Sequence, residues 1–102
     1  MLTLYAATVE SVEVDIETNA DPTGTAPTFA LSAKGASAPG TFSAGSWTTS
    51  YSSTTGVTTA RSPTLGSAGT LVIASGTTYD LWITVVLGSE TAKWRVGSVI
   101  CP

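Results

Sequence analysis

The stretch at 11–18, SVEVDIET, alternates apolar and charged residues without a break. Successive side chains of a β-strand point to opposite faces, so Val12, Val14 and Ile16 form one row and Glu13, Asp15 and Glu17 form the other. The first row is a core row; the second meets water or a partner. No window of the chain sustains a helical period, and Gly, Pro, Asn and Ser interrupt the apolar segments too often for long helices. The chain is therefore expected to fold as strands joined by turns.

Further strands are expected at 2–5 (LTLY), 28–33 (TFALSA, anchored by Phe29 and Leu31), 57–61 (VTTAR), 70–74 (TLVIA), 79–87 (YDLWITVVL) and 91–100 (TAKWRVGSVI). The segment 41–53 holds one or two short strands around Phe42, Trp47 and Tyr51; as a single strand it would put Trp47, Thr49 and Tyr51 on one face. The loops NADPTGTAP and KGASAPG are rich in residues that favour turns or cannot donate to a ladder. SPTLGSAG reads as a connection. The Ser/Thr-rich run at 50–62 is expected to be partly ordered. The last two strands read as a hairpin turning at Gly88, Ser89 and Glu90. Seven or eight strands at roughly ten-residue spacing are the signature of an antiparallel β-sandwich. With 102 residues the chain fits one domain, spanning 1–102.

Composition narrows the chemistry. Charged residues make up only 11% of the chain, so 19 Thr and 13 Ser supply much of the polar surface, and threonine suits strands. There is no histidine, which removes Ser–His and Cys–His pairs and imidazole ligands. Cys101 is the single cysteine, so neither an intrachain disulfide nor a thiolate cluster can form. No cofactor and no metal are expected. The opening MLTLYAATVE has no basic stretch and no long apolar run, so neither a leader peptide nor a membrane span is expected. A net charge of −3 argues against nucleic-acid binding. The charge is unevenly placed: Glu10, Glu13, Asp15, Glu17 and Asp21 come early with no base among them, and Lys93 and Arg95 come late.

The stretch IASGTTYDLWI raises a sharper expectation. In immunoglobulin-like and fibronectin type III sandwiches a tyrosine opens the penultimate strand after a corner loop, and its hydroxyl bonds to backbone a few residues upstream. Ile73, Gly76, Tyr79, Leu81 and Ile83 resemble that pattern, although Ser75 stands where the fibronectin pattern often has proline. Alternation from Tyr79 puts Leu81, Ile83 and Val85 inward and Asp80, Trp82 and Thr84 outward. On the hairpin partner Trp94 and Val96 are expected inward, and Lys93 and Arg95 outward. Trp82 beside Lys93 and Arg95 is then a candidate contact patch, because Trp and Arg are enriched where interfaces are strongest. A tryptophan lying under its own arginine is the plainer alternative. The acidic row Glu13, Asp15 and Glu17 is the second candidate surface.

The order of these segments resembles small virion proteins of tailed phages of actinobacteria. The similarity runs through the opening LTLYAATVESVEV, the loop Asp21, Pro22, Thr23 and Gly24, and the GxW segment Gly45, Ser46 and Trp47. It continues through Thr59, Ala60 and Arg61, then Gly76, Thr77, Tyr79, Asp80, Trp82, Ile83 and Val85, and ends at Arg95 and Gly97. The turn LGSETAK departs from the charged, proline-containing turn of those proteins. The resemblance implies an immunoglobulin-like or fibronectin-like sandwich that is a non-enzymatic structural component of the virion, made in the host cytoplasm. It implies a capsid decoration or minor capsid protein that forms a homo-oligomer and binds the major capsid protein or other virion proteins. The alternative is a neck, tail or adhesion module that binds carbohydrate through Trp47, Tyr51 and Trp82. An enzyme built on the carboxylate pairs Glu13/Asp15 or Asp15/Glu17, and a calcium site from Glu17, Asn19 and Asp21, are weaker readings: a solvated strand face explains the first, and the spacing of the second fits no calcium-loop pattern.

Overall fold

The computed structural model describes residues 2–102. These form ten strands and no helix. The strands are β1 (Leu2–Thr3), β2 (Glu13–Glu17), β3 (Thr28–Ala33), β4 (Ser43–Ala44), β5 (Ser46–Trp47), β6 (Val57–Arg61), β7 (Leu65–Gly66), β8 (Leu71–Val72), β9 (Thr77–Leu87) and β10 (Glu90–Cys101). Five of them make one sheet in the order β1-β10-β9-β3-β4; three make a second, β2-β6-β5; β7 and β8 pair by themselves. The arrangement is consistent with a β-sandwich.

Two features differ from the sequence expectation. The sheets are mixed, because β1 pairs with β10, and β7 with β8, in parallel. The strand count exceeds eight because the short segments add two-residue strands. Segment 41–53 yields β4 and β5, which end at Trp47, so Thr49 and Tyr51 do not continue one strand face with it. SPTLGSAG holds β7, anchored by the fully buried Leu65, whose backbone exchanges both hydrogen bonds with Glu10. A single buried leucine among Ser, Pro and Gly left no periodicity to read.

The core is drawn from all three sheets. Phe29, Leu81, Ile83, Val85 and Val99 come from the five-stranded sheet, Ile16 and Ala60 from the three-stranded one, and Leu65 and Leu71 from the small pair; Leu4, Ile73 and Cys101 complete it. Burying a side chain such as Phe29 or Ile83 contributes about 1.5–3 kcal/mol. The inward row of β9 is as alternation predicts.

The lateral sides of the molecule are unlike one another. On one, the chain steps from β4 in the first sheet to β5 in the second across Gly45 alone, and the Gly45 N–H donates to the Pro27 carbonyl at 2.8 Å. A Cβ at that position would meet the carbonyl oxygen of Arg61 and approach two ring carbons of Phe29 to 2.7 and 2.9 Å. Only glycine lets the backbone cross so closely. On the other side the edges are β10, capped only at Val99 and Ile100 by β1, and β2.

The tyrosine corner is present. The Ala74 N–H donates to the Tyr79 hydroxyl at 3.0 Å, and the Gly76 N–H donates to the Cys101 carbonyl at 2.7 Å. Gly76 takes φ +79°, the left-handed conformation that glycine adopts without strain. The loop between β8 and β9 is thus tied at two points, and the Tyr79 ring packs against the core.

Candidate functional site

Partners across a sheet share a face, so the register shows what lies on each outer surface. In the five-stranded sheet Thr28, Thr84 and Lys93 are aligned, as are Ala30, Trp82 and Arg95, and Ser32, Asp80 and Ser98. All lie on the face opposite Leu81 and Ile83. Lys93 and Arg95 point outward as expected. Trp82 is half-buried, and its indole N–H donates to the Ser32 hydroxyl at 2.9 Å. The cation that lies over an aromatic ring is Lys93, its Nζ 5.1 Å from the centre of the Phe42 ring. Such a contact contributes about 0.5–1 kcal/mol at an exposed site.

Asp80 departs from its expected place in solvent. It is on the outer face but only 1% exposed. The turn after β3 folds back over it, so that the Gly35 N–H donates to Oδ2 at 2.9 Å. Arg95 Nη1 is 3.6 Å from Oδ2, Lys34 Nζ is 3.9 Å from Oδ1, and the Ser98 hydroxyl donates to Oδ1 at 3.3 Å. The Gly35 hydrogen bond, more than any other contact, holds the Asp80 carboxyl below its ordinary pKa; burial opposes it, and Arg95, Lys34 and Ser98 add to it. Asp80 thus attracts both cations, and Lys34 Nζ also donates to the Ser98 hydroxyl at 2.9 Å. Lys34, Lys93 and Arg95 all belong to this one surface, with Trp82 and Phe42 between them.

The opposite outer face is acidic. Glu13, Asp15 and Glu17 are exposed on β2, while Ile16 of the other row is buried. Arg61 on β6 lies opposite Glu13, with Nη2 3.2 Å from Oε2, and the Thr59 hydroxyl donates to Asp15 Oδ1 at 2.7 Å. These exposed pairs contribute little to stability. Both candidate rows thus lie on strand faces, but the structure separates them onto the two broad sides of the molecule. Asp21, on the loop that follows, is engaged locally: its Oδ1 accepts from the Thr23 hydroxyl at 2.6 Å and the Thr23 N–H at 2.9 Å, which lowers its pKa. Among the described residues no three carboxylates or thiols gather as a metal site would require.

Trp47 lies on the inner side of β5, opposite Ala60, packs against the core, and donates its indole N–H to the Thr25 carbonyl at 2.9 Å. Tyr51 is half-buried, with its hydroxyl 3.5 Å from the Thr18 carbonyl. Trp94 departs from its predicted burial. It shares the inner face with Ile83 but is 37% exposed, on the open part of β10 that β1 does not reach. Val96 is the extra residue of a bulge between Arg95 and Gly97 and is half-buried.

One feature had no signal in the sequence. A cleft of about 320 Å³ runs along the open side between β2 and β10. Leu2, Val12, Val14, Leu81, Val96 and Val99 supply its apolar lining. No family model, no curated protein and no solved structure matches the chain.

Proposed function

We propose that this is a non-enzymatic structural protein of a bacteriophage virion, a decoration or minor capsid protein that docks on the head shell and reinforces it. One observation carries the reading beyond the sequence resemblance. The polar side chains are spent on building a surface: Asp80 anchors Arg95 and Lys34, and with Lys93 they frame Trp82 and Phe42 on one broad face. Cations held in place around half-buried aromatics suit a flat protein partner, since they lose little freedom on docking. The outer face of the five-stranded sheet is accordingly the shell-binding face. We read the strand arrangement as immunoglobulin-like, a reading supported by the Tyr79–Ala74 corner bond.

Quantitative mass spectrometry of purified particles tests the assignment. Hundreds of copies per particle are expected for a decoration protein; a handful would move the protein to the neck or tail, and none would end the proposal. Re-addition to particles stripped of the protein tests the face. Lys34→Glu and Trp82→Ala are expected to abolish rebinding, and Glu17→Gln to leave it unchanged. The adhesion alternative draws on Trp47, Tyr51 and Trp82, of which Trp47 packs against the core, and a glycan array would reveal it.

A further inference from the structure

We infer that the open side of the molecule is a self-association surface, where β10 of one copy pairs with β2 of a second copy around a two-fold axis parallel to the strands. This pairing is independent of whether the protein works in a virion.

The starting point is an edge without a neighbour. Among the described residues β10 has no neighbour on its outer side from Glu90 to Val96, since β1 pairs with Val99 and Ile100. Residues Glu90 to Arg95 are exposed on both faces, Trp94 among them. Beside this edge lies the apolar cleft, and across the cleft lies the second open edge, β2. A long open strand with a tryptophan on it is a template for another strand.

The occupant follows from direction and charge. The cleft lining sets Val12, Glu13 and Val14 beside Val96, Gly97, Ser98 and Val99, so on the open side Glu13 lies at about the height of Ser98. From β4 the chain proceeds along β5 to Trp47, whose indole reaches Thr25, upstream of β3 and so toward the β9–β10 hairpin. β5 and β2 are both antiparallel to β6, so β2 runs from Glu13 to Glu17 toward the same hairpin, opposite to β10.

A two-fold rotation about an axis parallel to the strands keeps height and direction. It lays β2 of the second copy antiparallel to β10 of the first, with Asp15 near Arg95 and Glu17 near Lys93. Both rows lie on outer faces, so each basic row continues into an acidic one. The rotation makes the contact twice, as an isologous interface requires, and closes both clefts at once. The five residues of β2 span roughly 17 Å and lie beside β10 from Lys93 to Ser98, short of the residues that β1 pairs. Opposite charges in register set partner choice and alignment.

The test is sedimentation equilibrium of the whole chain, repeated at low and high salt, with folding checked by circular dichroism. The wild type is expected to approach twice the mass of one chain as concentration rises from about 5 to about 500 µM, with weaker association at high salt. Lys93→Glu, and separately the pair Asp15→Lys with Glu17→Lys, are each expected to weaken association at least about tenfold while remaining folded. Mixing the two variants restores both contacts, because each mixed interface then has one acid and one base, and the mixture is expected to dimerise like the wild type. A wild type that stays monomeric, a dimer that ignores the charge reversals, a mixture that fails to recover, or an open-ended polymer would each overturn the inference.

Discussion

Gly45→Ala is expected to damage the fold far more than a methyl group ordinarily does. The added carbon has two neighbours, and neither can yield. One is the Arg61 carbonyl, in the backbone of a strand paired on both sides by β2 and β5. The other is the ring of Phe29, which is fully buried. Contacts of 2.7 and 2.9 Å to that ring fall short of the roughly 3.5–4.0 Å at which carbons ordinarily meet, so about 1 Å of movement is demanded of a packed core. Overpacking of this kind costs about 3 kcal/mol, against a total stability of about 5–15 kcal/mol for a small domain. For a chain of this length the melting temperature should fall by about 12–24 °C. Urea denaturation followed by tryptophan fluorescence measures the loss, and Gly40→Ala, where a Cβ meets nothing within 4 Å, is the control expected to change stability by less than about 1 kcal/mol. Combining Gly45→Ala with Phe29→Leu should cost less than the two separate losses together, by about 1 kcal/mol, because the smaller side chain makes room. A loss below about 1 kcal/mol for Gly45→Ala would refute the close crossing as described.

Three further outcomes are expected. Tyr79→Phe keeps the ring and removes the acceptor for the Ala74 N–H; since Ala74 is exposed and water can replace the hydroxyl, the cost is about 0.5–1 kcal/mol by urea midpoint, whereas no change would make the corner bond irrelevant. Asp80 has a folded-state pKa below its unfolded value of about 3.9, so its stabilisation is fully present above that pH and is lost as pH falls through the folded value. Asp80→Asn should therefore be less stable than the wild type at neutral pH, with the gap narrowing as pH falls below the unfolded value, as urea midpoints at several pH values would reveal. The Cys101 thiol is 1% exposed, so a thiol reagent should modify it at the rate of opening of the last strand; immediate reaction in the native state would contradict its burial.

The sequence exposed what periodicity encodes. β3 and β6 run over the residues expected, the inward row of β9 is buried, and the bond between Tyr79 and Ala74 follows from a glycine and a tyrosine at the right separation. Features that depend on long-range closure were not legible. Alternation places Asp80 on the outer face, but only the folding back of Lys34 and Gly35, some forty-five residues away in sequence, buries it. Trp94 has the parity of a core residue, yet it lies on the open part of β10 and outside the core cluster. The parallel pairing of β1 has no local signature either, because two residues carry no period. Of the candidate surface residues, Trp82, Lys93 and Arg95 do share a face, but the register could not say that Lys93 would turn toward Phe42 or that Arg95 would be held by a buried acid.

The pairing of Leu2 with Val99 has a consequence for how the chain acquires its shape. The first strand has no partner until the chain has been synthesised as far as Val99 and Ile100. The large sheet therefore cannot be completed before β10 has emerged, and until then β1 must wait unpaired, with Leu4 still to be buried beside Ile100. Bringing such distant segments together carries an entropic cost that precedes any reward. Folding on the order of milliseconds to seconds, with the docking of the first strand among its late events, is what this connectivity implies.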